Sequence, residues 1–144
     1  MCDAVYFEYQ GDVLRQYFPN PQAVLPVQKK DGSLILMPWG RRQSQVGNLP
    51  MGGWARLDLI YGGRWDKYFP QPLKIPVFSF MEKDFVGSSH WYDLNKGQYL
   101  QGLLARDNKE RRIYVVTIEP EMEDANIHHR WPRVIQLGEK SLRR

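Results

Sequence analysis

The chain has 144 residues, 42% of them hydrophobic and 25% charged, which is ordinary for one globular domain and argues against a disordered chain. The formal net charge of +4 permits binding to polyanions without requiring it. The apolar runs fall far short of the ~20 residues of a membrane helix, and the acidic first residues argue against a secretory signal peptide, so we expect a single cytoplasmic domain over residues 1–144 with no membrane partner.

Proline and glycine divide the first part of the chain into short elements. The apolar residues within 13–18 share one helical face, which predicts a helix that ends at Pro19. Residues 23–29 and 34–37 flank the turn pair Asp31-Gly32, so they predict a β-hairpin.

The rest of the chain favours strands over helices. Residues 112–118 are β-branched and largely apolar, which makes them the strongest predicted strand. The other predicted elements are a loop over 41–53, a strand over 55–61, at most a helical turn over 65–69, strands over 75–80, 90–93 and 99–105, a turn at 108–109, an acidic loop over 119–124 and a short apolar run before 137. The sum predicts a strand-dominated α+β fold, a mostly antiparallel sheet or open barrel with few short helices.

The lone cysteine of the chain is residue 2, which excludes an intrachain disulfide and a multi-cysteine zinc site. Removal of Met1 would give Cys2 a free α-amine beside its own thiol. Such an amine has a pKa near ~7.7–8.0, so a useful fraction is neutral and nucleophilic at neutral pH. It can attack an aldehyde to form an imine, which the thiol closes to a five-membered thiazolidine. The alternative is an incidental free thiol at a loose terminus.

Aromatic and metal-ligating residues give weaker signals. The five Trp, eight Tyr and six Phe could stack on unpaired bases beside arginines, or they could simply fill the core. His90, His128 and His129 lack zinc-ligand spacing, and the acidic loop lacks a calcium-loop pattern. We therefore expect no metal site and no cofactor.

The motif Ile127-His128-His129-Arg130-Trp131-Pro132 resembles the Ile-His-x-Arg-Met-Pro signature of the SOS response-associated peptidase (SRAP) family. Further landmarks of that family follow the same order over nearly the whole chain, and this order carries the resemblance. They are the Met1-Cys2 start, Trp39-Gly40, Ala55-Arg56-Leu57-Asp58, Ile75-Pro76 followed by Glu82, Gly102-Leu103-Leu104 and Val116-Thr117-Ile118. The chain is similar to a short, divergent member.

The resemblance implies a fold of the SRAP type and a protein that senses abasic sites in single-stranded DNA. Cys2 would be the nucleophile and the DNA attachment point after self-removal of Met1. Glu82 would act as a general acid or base near the Cys2 amine, and His128 would assist proton transfer at the opened sugar. The implied activity is that of a self-processing peptidase with a lyase-like crosslinking reaction.

The same resemblance assigns DNA contacts. Arg56 would hold a phosphate and Trp39 would lie by the DNA channel. Arg41 and Arg42, together with Arg56, could neutralise the DNA backbone and make the affinity depend on salt. The implied partner is single-stranded DNA, bound by a monomer.

Each site residue also has a structural interpretation. Glu82 could be a solvated carboxylate at a strand end, His128 a satisfied polar residue, Arg56 an ion-pair partner of Asp58, and Trp39 a core residue. The asparagine of the family falls on Trp54, which favours an alternative function: a nucleic-acid-binding module of the same fold that lacks covalent chemistry. A third hypothesis is a host-interaction or structural protein without a DNA role.

Overall fold

The fold is that of a computed structural model, which describes residues 2–119 and 130–136. Within these residues the chain forms twelve strands, one short α-helix and one 3-10 helix. The strands are β1 (Ala4–Tyr9), β2 (Asp12–Tyr17), β3 (Val24–Gln28), β4 (Leu34–Pro38), β5 (Trp54–Arg56), β6 (Gln71–Ile75), β7 (Ser79–Lys83), β8 (Ser89–Asp93), β9 (Gln98–Asp107), β10 (Glu110–Ile118), β11 (Trp131–Pro132) and β12 (Val134–Gln136). Helix α1 covers Leu57–Tyr61, and the 3-10 helix covers Asp66–Tyr68.

The strands form two sheets. The smaller sheet has the order β2-β1-β7-β8, and the larger has the order β11-β10-β9-β6-β3-β4, with β12 beside β9 and β5 beside β10. The pairing of β5 with β10 is parallel, and the other pairings between described strands are antiparallel. This confirms the predicted strand-dominated, mostly antiparallel α+β fold with few short helices.

The main core lies between the two sheets. The smaller sheet contributes Val5 and Phe7 of β1 and Phe80 of β7, which alternation places on one face. The larger sheet contributes buried side chains from five strands, with Leu25 and Ile113 among those with no exposed surface. One face of the smaller sheet therefore packs against the core, and its opposite face points away from it.

Strands β9 and β10 are buried on both faces. Ile113 and Val115 of β10 belong to the main core, whereas Tyr114 and Val116 belong to a second cluster that includes Ile60 of α1. A strand covered on both sides needs apolar residues at consecutive positions rather than at alternate ones. This explains why residues 112–118 gave the strongest strand signal in the sequence.

The predicted helix over residues 13–18 is wrong, because these residues lie in and after β2. Gln10 and Gly11, with φ of 52° and 84°, form the two-residue turn that joins β1 to β2. Positive φ at both central positions matches the right-handed twist of the flanking strands. Leu14 lies opposite Phe7 and packs against the core, so pairing with β1 overrides the helical spacing.

Two predicted strands are only partly correct. Residues 55–61 begin in β5 but continue as α1, because Leu57 and Ile60 lie three positions apart and both contact the second cluster. The predicted strand over 75–80 is interrupted at Pro76, which cannot donate a ladder hydrogen bond. The chain there leaves β6 in the larger sheet and enters β7 in the smaller one.

The remaining predictions of secondary structure have clear outcomes. The hairpin over 23–37, the helical turn near 65–69, the strands over 90–93, 99–105 and 112–118, and the turn at 108–109 are confirmed. Most of the acidic loop and the residues His128 and His129 lie outside the described residues. No helix in residues 2–119 and 130–136 is long and apolar enough to span a membrane.

Substitution of Gly40 by alanine is expected to destabilise the fold by about 3 kcal/mol. Gly40 has a φ of 55°, and a Cβ there would overlap the carbonyl oxygen of Gly52 and come within 2.7 Å of the Cα of Gly53. Both neighbours are backbone atoms, so no side chain can rotate away. Urea unfolding measures this loss.

The matched control is Gly11→Ala, at a position with a φ of 84° and no heavy atom within 4 Å of a built Cβ. Only the backbone strain applies there, so we expect a loss of about 1 kcal/mol. Equal losses for Gly11→Ala and Gly40→Ala would contradict a close approach of the backbone at Gly40.

Candidate functional site

The first residues of the chain are held against β7, which carries Glu82. The backbone N–H of Asp3 donates to the carbonyl of Met81 at 2.9 Å, and Ala4 lies opposite Met81 in the ladder. These contacts place Cys2 beside the end of β7. Two residues 80 positions apart in the sequence are therefore neighbours in the fold.

The thiol of Cys2 is enclosed by protein. Cys2 has no exposed surface, belongs to the main core cluster and directs its Sγ to the carbonyl of Ala4 at 3.6 Å. Burial raises the pKa of the Cys2 thiol well above its ordinary value, and the charges of Glu82 and Asp3 raise it further. The thiol is thus held in its protonated, less nucleophilic form.

The carboxyl group of Glu82 is also enclosed by protein. Glu82 has no exposed surface, so the structural alternative of a solvated strand-end carboxylate does not hold. Burial raises its pKa, the positive charge of the amino terminus opposes the rise, and the charge of Asp3 adds to it, so that the net pKa is about 7. A carboxyl group with a pKa of about 7 can both donate and accept a proton at neutral pH.

The backbone of Cys2 is fixed by a residue distant in sequence. The indole N–H of Trp54, at the start of β5, donates to the carbonyl oxygen of Cys2 at 2.7 Å. The Trp54 ring packs against Phe18 with their centroids 4.7 Å apart. An aromatic side chain thus makes a hydrogen bond to the residue that carries the thiol.

A histidine that the sequence analysis did not assign to the site lies beside Glu82 on the neighbouring strand. His90 of β8 is the direct ladder partner of Glu82, so their side chains project from the same face of the sheet. The Nε2 of His90 is 2.9 Å from the Oδ2 of Asp84. Only the pairing register reveals this neighbour, since nothing in the local sequence of either strand indicates it.

The end of the histidine motif also reaches β7. Trp131 of β11 packs edge-on against Phe80, with centroids 5.1 Å apart, and against Tyr92, at 4.9 Å. Phe80 lies two positions before Glu82 and faces the same side of β7. Preceding Trp131, Arg130 donates from its guanidinium to the carbonyl of Thr117 at 2.7 Å. His128 itself lies outside the described residues.

Trp39 is a core residue. Its side chain has no exposed surface, and its indole N–H donates to the carbonyl of Gly53 at 3.0 Å. A fully enclosed ring has no face available to a DNA base, so Trp39 cannot stack on DNA in this conformation, and its place by a DNA channel stays a prediction. The alternative interpretation of Trp39 as a core residue agrees with this burial.

The arginines predicted to bind DNA make intramolecular contacts. Arg41 donates to the carbonyls of Leu49 and Gln45, both at 2.6 Å, and so ties the loop over 41–53 together. Arg42 donates to the carbonyl of Phe18 at 2.6 Å. Arg56 is exposed, and its Nη2 lies 2.7 Å from Oδ2 of Asp58. This is the ion pair that the structural interpretation of Arg56 predicted. An exposed ion pair of this kind is weak enough to exchange for a phosphate.

Comparisons with known proteins add no assignment to this geometry. No protein-family model matches the chain, and no curated protein matches it. Within residues 2–119 and 130–136, no group of three His, Cys, Asp or Glu side chains could hold a metal ion. The case for a function therefore depends on Cys2, Glu82 and the groups that position them.

Substitution of Trp54 by phenylalanine is expected to lower stability by about 1 kcal/mol, because the Cys2 carbonyl loses its 2.7 Å partner. If Trp54 positions Cys2 for reaction, the rate of adduct formation with an aldehyde in DNA also falls, while the affinity for DNA is unchanged. Thermal unfolding and single-turnover adduct assays measure the two effects.

The matched control is Trp39→Phe, which removes an indole N–H bonded to Gly53 instead of to Cys2. The Gly53 carbonyl keeps the N–H of Val115 at 2.9 Å, but the smaller ring leaves a cavity in the core, so the loss of stability is at least as large while the adduct rate is retained. Equal slowing by Trp39→Phe and Trp54→Phe would show that general loosening of the core, rather than the bond to Cys2, explains the effect.

Proposed function

We propose that this protein binds single-stranded DNA and forms a covalent crosslink with abasic sites through Cys2, after removal of Met1. The observation that carries the proposal is that β1 and β7 bring Cys2 beside Glu82, a carboxyl group whose pKa burial raises to about 7. The order of motifs shared with the SRAP family supports it, although no family model matches the chain. The fold would then be of the SRAP type.

The proposed reaction begins once hydrolysis of the Met1–Cys2 peptide bond frees the α-amine. The amine nitrogen attacks the aldehyde carbon of the ring-opened abasic sugar to give a carbinolamine. Glu82, in its protonated form, donates a proton to the departing hydroxyl, and water leaves as the imine forms. The ionised Glu82 then accepts the proton of the Cys2 thiol while the sulfur adds to the carbon of the protonated imine, which closes a neutral thiazolidine.

Glu82 can serve both proton transfers. With a pKa of about 7, it is partly protonated when water must leave and partly ionised when the thiol must lose its proton. The resemblance to the SRAP family assigns His128 to proton transfer at the opened sugar in this scheme. Arg56 would exchange its ion pair with Asp58 for a DNA phosphate.

The enclosed thiol favours a second candidate function. Cys2 has no exposed surface, so an aldehyde reaches it only if the N-terminal segment opens. A module that binds single strands without covalent chemistry requires no such opening. Trp54 in place of the family asparagine points the same way, because it anchors Cys2 to the core.

The deciding experiment uses untagged protein whose intact mass shows whether Met1 has been lost. Protein without Met1 is incubated with a single-stranded oligonucleotide that contains one abasic site, and the products are separated under denaturing conditions. A stable adduct supports the crosslinking function. Salt-sensitive binding without an adduct supports the binding module and overturns the crosslinking function.

A further inference from the structure

The outer face of the smaller sheet, opposite the main core, is rich in aromatic side chains. By alternation this face carries Tyr6 of β1, Tyr17 of β2 and Trp91 of β8, and Phe78 lies beside it, its ring 6.1 Å from that of Tyr6. Trp91, Tyr17 and Phe78 expose 41%, 44% and 47% of their surface. Single exposed rings are common, but several on one sheet face form a defined surface.

One arginine lies across this face. The guanidinium carbon of Arg15 is 5.3 Å from the ring centroid of Tyr6 and 5.4 Å from that of Trp91. These rings are on strands β1 and β8, which flank β7, so the guanidinium lies between them in a pocket that the small side chain of Ser79 also lines. Together, Tyr6, Arg15, Ser79 and Trp91 line a shallow open pocket of about 210 Å³.

The Arg15 guanidinium is held by ring faces instead of by a carboxylate. In the described part of the chain it forms no ion pair. A guanidinium has five donors in a planar fork, which suits a phosphate, and stacking on rings leaves these donors at the edge of the group free to bind one. The ladder also places Lys83 on this face, toward the Cys2 end of the sheet, Asp93 in the row of Arg15 and Ser79 on the edge strand β8, and Glu8 toward the other end.

We propose that this surface, the outer platform formed by Tyr6, Arg15, Tyr17, Phe78 and Trp91, binds single-stranded DNA by stacking unpaired bases on its rings and holding a phosphate at Arg15. The proposal deepens the proposed function and rests on it, since the platform would hold the strand that presents the abasic site. Base stacking on exposed sheet aromatics beside cations is the general way that proteins bind single strands without sequence preference.

The position of the platform agrees with that role. Tyr17 and Trp91 lie in the row of Ala4 and Met81, and Ala4 follows Cys2 by two residues. Two residues of extended chain span about 7 Å. Glu82 shares the core-facing side of β7 with Phe80, so a strand stacked on the platform reaches Cys2 and Glu82 only by passing around this end of the sheet.

The test measures the affinity of the full chain for a labelled oligothymidine of about 15 nucleotides, without an abasic site, by fluorescence anisotropy. Trp91→Ala and Arg15→Ala are each expected to weaken binding by about tenfold. A duplex of the same length is expected to bind more weakly than the single strand, because its bases are not free to stack. Heparin is expected to compete poorly at equal charge.

The matched control is Phe69→Ala, which removes another exposed ring that lies near an arginine, with Arg106 at 5.8 Å, far from this sheet face in the topology. Thermal unfolding establishes that each variant is folded. Loss of affinity in Trp91→Ala and Arg15→Ala but not in Phe69→Ala supports the platform. Equal affinities for all variants, or equal competition by heparin, would overturn it.

Adduct formation separates this proposal from the proposed function. At concentrations of abasic DNA below saturation, the platform variants are expected to slow adduct formation in proportion to their loss of affinity, because the strand must be bound before Cys2 can react with it. If the unaltered protein forms adducts but Trp91→Ala binds intact DNA as tightly, the platform is wrong and the crosslinking function stands. If the platform variants bind weakly and no protein forms an adduct, the platform is supported and the crosslinking function is wrong.

Discussion

Substitution of Cys2 by alanine is expected to abolish the denaturation-resistant adduct with abasic single-stranded DNA. The α-amine of the processed variant can still form an imine, but no sulfur closes the ring, and an imine hydrolyses readily. The expected loss is complete within the detection limit of a gel assay. A reducing agent that traps imines should restore a covalent product only if Met1 has been removed, which intact mass establishes for the variant.

The same substitution should leave the fold intact. Cys2 is buried but contributes one sulfur atom to the main core, so the change in unfolding free energy is expected to be about 1 kcal/mol. Affinity for intact single-stranded DNA should not change. A persistent adduct in Cys2→Ala without any reductant would show that another nucleophile carries the reaction.

Substitution of Glu82 by glutamine is expected to slow adduct formation by a factor of about 10² to 10⁴, the usual contribution of a positioned general acid or base. Glutamine keeps the size of the side chain but can neither donate a carboxyl proton nor accept one from the thiol. The rate of the unaltered protein should change with pH around 7, and this dependence should disappear in the variant. Single-turnover rates from pH 5 to pH 9 provide the measurement.

Although Glu82→Gln slows adduct formation, it should raise the free energy of unfolding at alkaline pH. The folded-state pKa of Glu82 is raised from 4.5 to about 7, so its contribution to stability is full below pH 4.5 and is lost as the pH rises through about 7. The loss is on the order of 3 kcal/mol. Because glutamine does not titrate, Glu82→Gln should be more stable than the unaltered protein at pH 8, with little difference at pH 4.

The control for both effects is Glu8→Gln, which neutralises an exposed carboxylate on β1 of the same sheet. It is expected to preserve the adduct rate at saturating DNA and the dependence of stability on pH. If Glu82→Gln keeps the full adduct rate while gaining stability at pH 8, Glu82 is a buried structural acid and takes no part in the chemistry.

The local signals in the sequence were reliable where the fold depends on neighbouring residues. Residues 112–118 predicted a strand because β10 is covered on both faces, which forces a continuous apolar run. The hairpin over 23–37 was predicted because Asp31-Gly32 supplies the turn. The helix predicted over 13–18 was wrong because residues 12–17 pair with β1 as strand β2, and the helical spacing of their apolar residues does not reveal that pairing.

Some features of the candidate site could also be predicted from the sequence, and others could not. The unusual chemistry of a cysteine at position 2 follows from covalent structure and requires no fold. The role of Trp54 could not be predicted, because its hydrogen bond joins residues 52 positions apart. Trp39 was predicted either to lie near DNA or to be a core residue, and only the structure shows that its ring is enclosed.

The sequence by itself therefore determined a strand-rich chain with a potential N-terminal nucleophile. Only the tertiary structure decided that Glu82 is enclosed beside Cys2 and that Arg15 lies over Tyr6 and Trp91. The physical reason is that strand periodicity indicates which residues share a face, but not which strands pair or in what register. Burial, the pKa of a carboxyl group and the assembly of a ring surface all depend on that pairing.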